Sequence, residues 1–271
     1  MNGGTCSAGV KGLMQEVSHF FNWTASWLRE KLGMKGVRLA SVGVVFLLTA
    51  VAIARNAGAQ LADAHPSLSS VNWSGPYLGL EGGAGWGSSR HSDNTGFNSG
   101  SFPVNGGLLG GTLGYNWQTG PIVFGAEGDM SWADISGLTR GLPGEVCGGA
   151  GPNCHTSLAD LGTARGRIGY RFGSIFPYAT AGLAFGDVSG SEGDVPANGA
   201  AGSGNAYRVG WTAGAGIEAA LAPHLSVKLE YLHVDLGAGP VFTDTFSNGQ
   251  TTPQHVSFRS DLIRAGINYS F

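Results

Sequence analysis

The stretch LSVKLEYLHV, residues 225–234, separates into two alternating sets. Leu225, Val227, Leu229 and Tyr231 form one; Ser226, Lys228 and Glu230 form the other. A period of two is the side-chain period of a strand and places the sets on opposite faces. One strand of this kind fits a soluble sheet as well as a lipid-facing one, so the decision rests on whether the pattern recurs and with what spacing.

It recurs along the chain from Trp73. PYLGLEGGAGWG sets Leu78, Leu80, Ala84 and Trp86 against Tyr77, Gly79 and Glu81. LLGGTLGYNWQ sets Leu109, Leu113, Tyr115 and Trp117 against Thr112 and Asn116. IVFGAEGDMSW sets Ile122, Phe124, Ala126, Met130 and Trp132 against Glu127 and Asp129. LGTARGRIGYR sets Ala164, Ile168 and Tyr170 against Thr163, Arg165 and Arg167. PYATAGLAFG sets Ala181, Leu183 and Phe185 against Tyr178 and Thr180. YRVGWTAGAGIEA sets Val209, Trp211, Ala213 and Ile217 against Arg208, Thr212 and Glu218. The eighth segment ends in RAGINYSF, where Ala265, Ile267, Tyr269 and Phe271 oppose Arg264 and Asn268.

Eight segments of about ten residues are joined by links that alternate in length, from QTG, FGSIF and ALAPH to stretches of roughly twenty residues rich in Gly, Ser, Asn and Asp. This layout predicts an all-β fold: an eight-stranded antiparallel transmembrane up-and-down barrel with short periplasmic turns and four long extracellular loops. The charges support it. Glu81, Glu127, Asp129, Arg165, Arg167, Arg208, Glu218, Lys228, Glu230 and Arg264 all fall opposite the apolar face. A charge turned toward lipid costs ~2–4 kcal/mol at the bilayer midplane, so a membrane enforces this segregation. A soluble barrel or sandwich would place the charges outside instead. The apolar-face aromatics also sort by depth. Trp86, Trp132, Phe185, Trp211 and Tyr231 lie toward the long links; Tyr115, Trp117, Phe124, Tyr170, Tyr269 and Phe271 lie toward the short turns. Two such girdles are expected at the two interfaces.

Composition agrees. Glycine is abundant (48 of 271), charge sparse (12%), and hydrophobic content, at 42%, too high for a disordered chain. A formal charge of −3 argues against a nucleic-acid partner. The longest apolar run, Leu39–Ala54, follows Lys35 and Arg38 and precedes an A-x-A site at Ala57 and Ala59, the anatomy of a cleaved secretory signal. The expected organisation is therefore an upstream extension over 1–33 arising from a mis-assigned start, a signal peptide over 34–59 beginning at Met34, a short periplasmic segment over 60–72, and the barrel over 73–271. Cys147 and Cys154, in CGGAGPNC of an exported chain, suggest a disulfide; a metal site borrowing His155 is the weaker alternative.

Catalytic and cofactor motifs are weak. GAGIEA (214–219) fits a dinucleotide fingerprint but lies in a strand, with no helix to hold a pyrophosphate. Glu127 and Asp129 share a face with the five inward bases, which favours ion pairing over acid catalysis. His233, Asp235 and His255 lie near the rim without an assembled triad. No enzyme, cofactor or metal is expected.

WSGPYLGLEGGAGWG, GYNWQTGPIVFGAEGDMSW, TARGRIGY, PYATAGLAFG, GWTAGAGIEAAL and SVKLEYLHVDLG resemble the small outer-membrane β-barrel proteins of alphaproteobacteria. These are the outer membrane immunogenic protein or porin-family group, related to OmpA-like and opacity-protein barrels. The resemblance spans Trp73–Phe271 and implies location in the outer membrane of a Gram-negative envelope, a role as surface antigen, and lipid and lipopolysaccharide as surroundings. It also implies that Ile267, Tyr269 and Phe271 form the terminal signal read by the barrel-assembly machinery. It does not fix activity.

Two functional readings stand. An eight-stranded barrel is barely wider than its own side chains, and five inward acids facing five inward bases would plug it, leaving a structural and surface-interaction role with host or surface ligands met by the loops. Against this, inward glycines (Gly79, Gly110, Gly114, Gly125, Gly182, Gly210, Gly214, Gly216, Gly266) would leave room for a narrow, weakly conducting small porin. The links read as acidic: Asp93, Asp134, Glu145, Asp187, Glu192, Asp194, Asp235 and Asp244 face only Arg90 and Arg140.

Overall fold

A computed structural model of the chain describes residues 71–140, 147, 154–193, 201–245 and 249–271. The proposed signal peptide with Ala57 and Ala59, and the link residues Glu145 and Asp194, lie outside the described residues.

Eight strands follow one another: β1 (Gly75–Ser92), β2 (Phe102–Thr119), β3 (Ile122–Thr139), β4 (Cys154–Tyr170), β5 (Ile175–Glu192), β6 (Gly202–Ala222), β7 (Leu225–Thr245) and β8 (Thr251–Ser270). Each pairs antiparallel with the next, and β8 returns to β1 to close the barrel. Closure leaves no unpaired edge, the condition for a sheet to lie in hydrocarbon. The eight segments and their order match the expectation, and so does the parity of their membrane-level portions.

At one end the turns are tight. Gly120, at φ 60°, takes the left-handed conformation that turns β2 into β3, and Gly173, at φ 61°, does the same between β4 and β5. At the other end the strands overrun expectation. They are 17 to 21 residues long, where about ten suffice to cross a bilayer. The links expected at roughly twenty residues shrink accordingly to 93–101, 140–153, 193–201 and 246–250. Much of what reads as loop is strand extension.

The outer surface shows where the membrane ends. Leu80 (74% exposed), Trp132 (78%) and Leu183 (58%) stand free on the outside, as lipid-facing residues do. Just above, the outward positions turn charged: Asp160 pairs with Trp132, Asp235 with Trp211 and Asp261 with Trp86. Asp134 and Asp187 follow two residues after Trp132 and Phe185 on β3 and β5. Asp134, Asp187 and Asp235, expected in links, thus sit on strand walls at the rim of the apolar band.

Candidate functional site: the filled lumen

Inside the barrel the side chains form three layers. The floor, at the short-turn end, is apolar. Trp73, Val123, Phe176, Tyr178 and Ala220 pack together, all 8% exposed or less. Trp73, just before β1, packs with its ring tilted 5.4 Å from that of Phe176, and its backbone N–H donates to Gln118 Oε1 at 2.9 Å. The residues leading into β1 are thereby folded into the barrel mouth.

The middle layer is ionic. Arg165 reaches Glu127 at 2.5 Å and Asp129 and Glu230 at 2.9 Å. Arg264, wholly buried, bridges Glu81, Asp129 (2.9 Å) and Glu230 (2.5 Å). Lys228 binds Glu81 at 2.8 Å and Glu127 at 3.3 Å. Arg167 joins Glu218 at 3.0 Å and Glu127 at 3.4 Å, and its guanidinium lies 4.5 Å from the Tyr77 ring centre. Neutral groups complete the shell: the hydroxyls of Tyr77 and Tyr178 donate to Glu127 (2.7 Å) and Glu230 (3.0 Å), and Asn268 donates to Glu218 at 2.8 Å. Buried charges hold only when their lone pairs and protons are matched in this way.

Nine of the ten charges expected in the lumen meet in this layer. Arg208 does not. It points inward from β6 but above the network, against the backbone of Gly239, and makes no ion pair among the described residues. Its Nε has no hydrogen-bond partner. Alternation gave its face correctly and its height wrongly. The layer therefore holds five acids and four bases.

The upper layer is the feature the sequence reading missed. Phe102, Val104, Leu108, Ile135, Leu158, Leu161, Ala184, Val188, Leu232, Val234, Leu236, Phe242, Val256, Phe258 and Leu262 form one buried apolar cluster. On β7 the inward row runs Ser226, Lys228, Glu230 and then Leu232, Val234, Leu236, so polarity switches within one strand while the face stays the same. A bulge at Leu158/Leu161 shifts the parity of β4 and keeps Leu158 inside, while on β7 the bulges at Asp235/Ala238 and Pro240/Phe242 cancel, so that Phe242 returns to the inward parity of Leu236.

The inward glycines do not leave the room expected of them. A Cβ on Gly216 would lie 2.5 Å from the Tyr178 ring, and one on Gly114 would strike Tyr77. A Cβ on Gly85 would lie 2.7 Å from both Ile135 and Leu262. Their absent side chains are the space into which the large ones fold.

The mouth carries the remaining chemistry. Cys147 and Cys154 are disulfide-bonded, with Cα atoms 5.4 Å apart, and both are fully buried. The imidazole beside them is His91, not His155. Burial, helped by the charge of His155, lowers the His91 pKa to about 4 and keeps it neutral. His233 and Asp235 point outward at the membrane rim, where His233 pairs with Asp261 and Asp235 with Arg259. With His255 they build no common site. GAGIEA lies wholly within β6.

The sequence profile described as "Outer membrane protein beta-barrel domain" matches residues 44–271. The chain belongs to this outer-membrane β-barrel family. It is 31% identical to the 31 kDa outer-membrane immunogenic protein of Brucella melitensis, over 88% of this chain and 100% of the relative. It is 32% identical to the 22 kDa outer membrane protein of Rhizobium leguminosarum, over 74% and 79%. Among solved structures, OprG of Pseudomonas aeruginosa superposes with a TM-score of 0.42 at 11% identity, over 74% of this chain and 98% of that one. The barrel resides in the outer membrane; the Brucella relative is named an outer-membrane immunogenic protein and the Rhizobium relative an outer membrane protein, and neither name is that of an enzyme.

Proposed function

We propose that this barrel is a closed, non-enzymatic structural element of the outer membrane that strengthens the envelope and presents its external rim to surface ligands. The observation that carries the reading is the sealed stack inside it: an apolar layer above and an apolar floor below the ionic layer. An ion crossing the lumen would have to leave water at both apolar layers, where nothing replaces its hydration. The middle charges are spent on one another, so they act as a rigid cross-brace between strands and not as a selectivity filter. Lipid and lipopolysaccharide surround the apolar band, and Ile267, Tyr269 and Phe271, all outward at the end of β8, are the positions for the assembly machinery to read.

Deleting the gene from its host and challenging the envelope with detergent and with a large hydrophilic antibiotic tests this. Increased sensitivity, reversed by the intact barrel, is the expected result. A deletion strain as resistant as its parent would refute the structural role. Shortening the four external links then asks whether surface recognition is lost while envelope resistance stays.

A further inference from the structure

The wall of the barrel is unlaced at one seam. The β6–β7 ladder ends at the Trp211–Asp235 pair. Above it the two strands bridge again only at Ala201 and Thr245, whose backbone N–H groups donate to each other's carbonyls at 3.4 and 3.2 Å. Between these points β7 swerves through its two bulges, and Gly237 takes the left-handed conformation at φ 67°. The neighbouring seams keep their ladders to the strand ends, as at Glu192–Gly202 and Thr245–Thr251.

Arg208 occupies this gap. It belongs to the inward row of β6, yet its guanidinium rests against Gly239, in the space a side chain there would fill, and Nη2 is 4.0 Å from where a Cβ on Gly237 would lie. A guanidinium carries five N–H donors and no acceptor. Among the described residues Arg208 makes no hydrogen bond and no ion pair, and its Nε is shut away from water. The nearby acids are engaged elsewhere. Asp235 accepts from the Gly237 N–H at 2.8 Å and from Arg259 at 2.9 Å, Asp187 from Asn205 and Asp160 from Tyr207, each at 3.0 Å. Val188 and Leu236 belong to the apolar layer that fills the lumen at this height. The open side of the half-buried guanidinium is therefore the seam. Its lips are Tyr207 and Val209, 61% and 68% exposed, and across from them the exposed Gly237 and Ala238.

An uncompensated cation of this kind suits an anion, and its height says which. Arg208 lies three residues beyond Trp211 of the external girdle, about 10 Å along the strand and, at a tilt near 40°, roughly 7 Å above it. The headgroup layer outside the hydrocarbon is about 5–7 Å deep on each side. The guanidinium thus stands among lipid headgroups, where its planar fork matches a phosphate bidentately. Val209 and Trp211, exposed below it on the same strand, offer apolar surface to the acyl chains of the same molecule.

We propose that Arg208, in the β6–β7 seam, is a binding site for the phosphate of an outer-leaflet lipid. The proposal rests on the placement of the barrel in the outer membrane and not on the lumen being closed.

The test is native mass spectrometry of the full chain folded in detergent micelles, titrated separately with diphosphoryl lipid A, with the same lipid stripped of its phosphates, and with sodium phosphate. The parent should retain one molecule of diphosphoryl lipid A saturably and the other two probes at least tenfold more weakly. R208Q should lose at least tenfold in retention. G237D should do the same with the guanidinium still present, because a carboxylate then sits beside it, and aspartate is among the few side chains that accept the left-handed backbone. R259Q, which removes a rim arginine already paired with Asp235, should bind like the parent. All variants are checked for folding by heat-dependent gel mobility. Equal retention in the parent and R208Q, or of both lipid forms, would overturn the proposal, and an equal loss in R259Q would do so by assigning the lipid to the general charge of the rim. Sodium phosphate held as tightly as the lipid would overturn the headgroup as the source. If R208Q failed to fold, G237D would decide: binding equal to the parent refutes the site.

Discussion

Arg264 is the most demanding residue of the ionic layer, and Arg264→Met is the perturbation that best exposes what that layer does. The guanidinium is completely buried and faces Glu81, Asp129 and Glu230. Methionine fills similar volume but supplies no charge. Glu81 is then left to Lys228, while Asp129 and Glu230 both fall to Arg165. Five acids would confront three bases in a water-poor layer between apolar neighbours. Breaking a buried pair by removing one partner costs ~3–5 kcal/mol. At about 1.4 kcal/mol per factor of ten, that is roughly 10²–10⁴ in the unfolding equilibrium. Removing Glu81 with it, as E81L/R264M, should recover about 2 kcal/mol, because one of the two excess carboxylates goes and Lys228 is freed for the others. Urea titrations into lipid vesicles, followed by tryptophan fluorescence and gel mobility, give both numbers. An R264M barrel within about 1 kcal/mol of the parent, or a double variant no better than the single, would refute the reasoning.

Four further expectations follow from the other layers. Gly85→Val pushes a branched side chain against Ile135 and Leu262 and should cost ~1–3 kcal/mol by overpacking, read from the same urea midpoint. Leu229→Arg, half-exposed on the lipid face, should destabilise by ~2–4 kcal/mol in vesicles and much less in soluble detergent solution. C147S/C154S opens an eight-residue ring and should cost about 2.5 kcal/mol by loop entropy, seen as new protease sensitivity at the mouth. The mouth also sets a pH optimum. Burial and the hydrogen bond that Glu192 donates to Asp244 push its pKa up to about 8 from the ordinary 4.5, so the folded state keeps a proton that the unfolded chain gives up, and stability falls as pH rises through that window. His91 does the opposite: the unfolded chain takes a proton below about 6.5, the folded one only near 4, so stability falls as pH drops between them. Each arm should be worth about 2 kcal/mol after allowance for solvent screening, and E192Q should flatten the alkaline arm while H91Q flattens the acid one.

What the sequence revealed and what it hid divide along one physical line. Alternation reports the face on which a side chain lies. It assigned Glu127, Lys228 and Arg264 inward and Leu80, Trp132 and Tyr231 outward, because a bilayer punishes errors of face. It does not report height, which depends on strand register and tilt. Arg208 therefore joined the ionic set on paper while sitting a level above it. The upper layer escaped for a related reason. Beyond Glu230 the inward row becomes Leu232, Val234 and Leu236 while the outward row becomes His233 and Asp235, so polarity inverts where the membrane ends. Read by the rule that apolar faces lipid, these strands appear to stop. A bulge then changes the parity of β4, and a pair of bulges displaces that of β7 between Asp235 and Phe242, so alternation loses the face over those stretches. The glycines misled in the same manner: the space at Gly216 is real in sequence and already taken by Tyr178 in the fold.

The seal itself is tested most directly by single-channel conductance of the folded barrel in a planar bilayer, with gel mobility proving that the inserted protein is folded. A closed stack should give silence across the accessible voltage range, and R165M or E127Q should remain silent, because the apolar layers above and below persist. Discrete conductance steps in the parent barrel, shifting in size or ion preference when Arg165 or Glu127 is changed, would contradict the closed lumen and make the ionic layer a pathway.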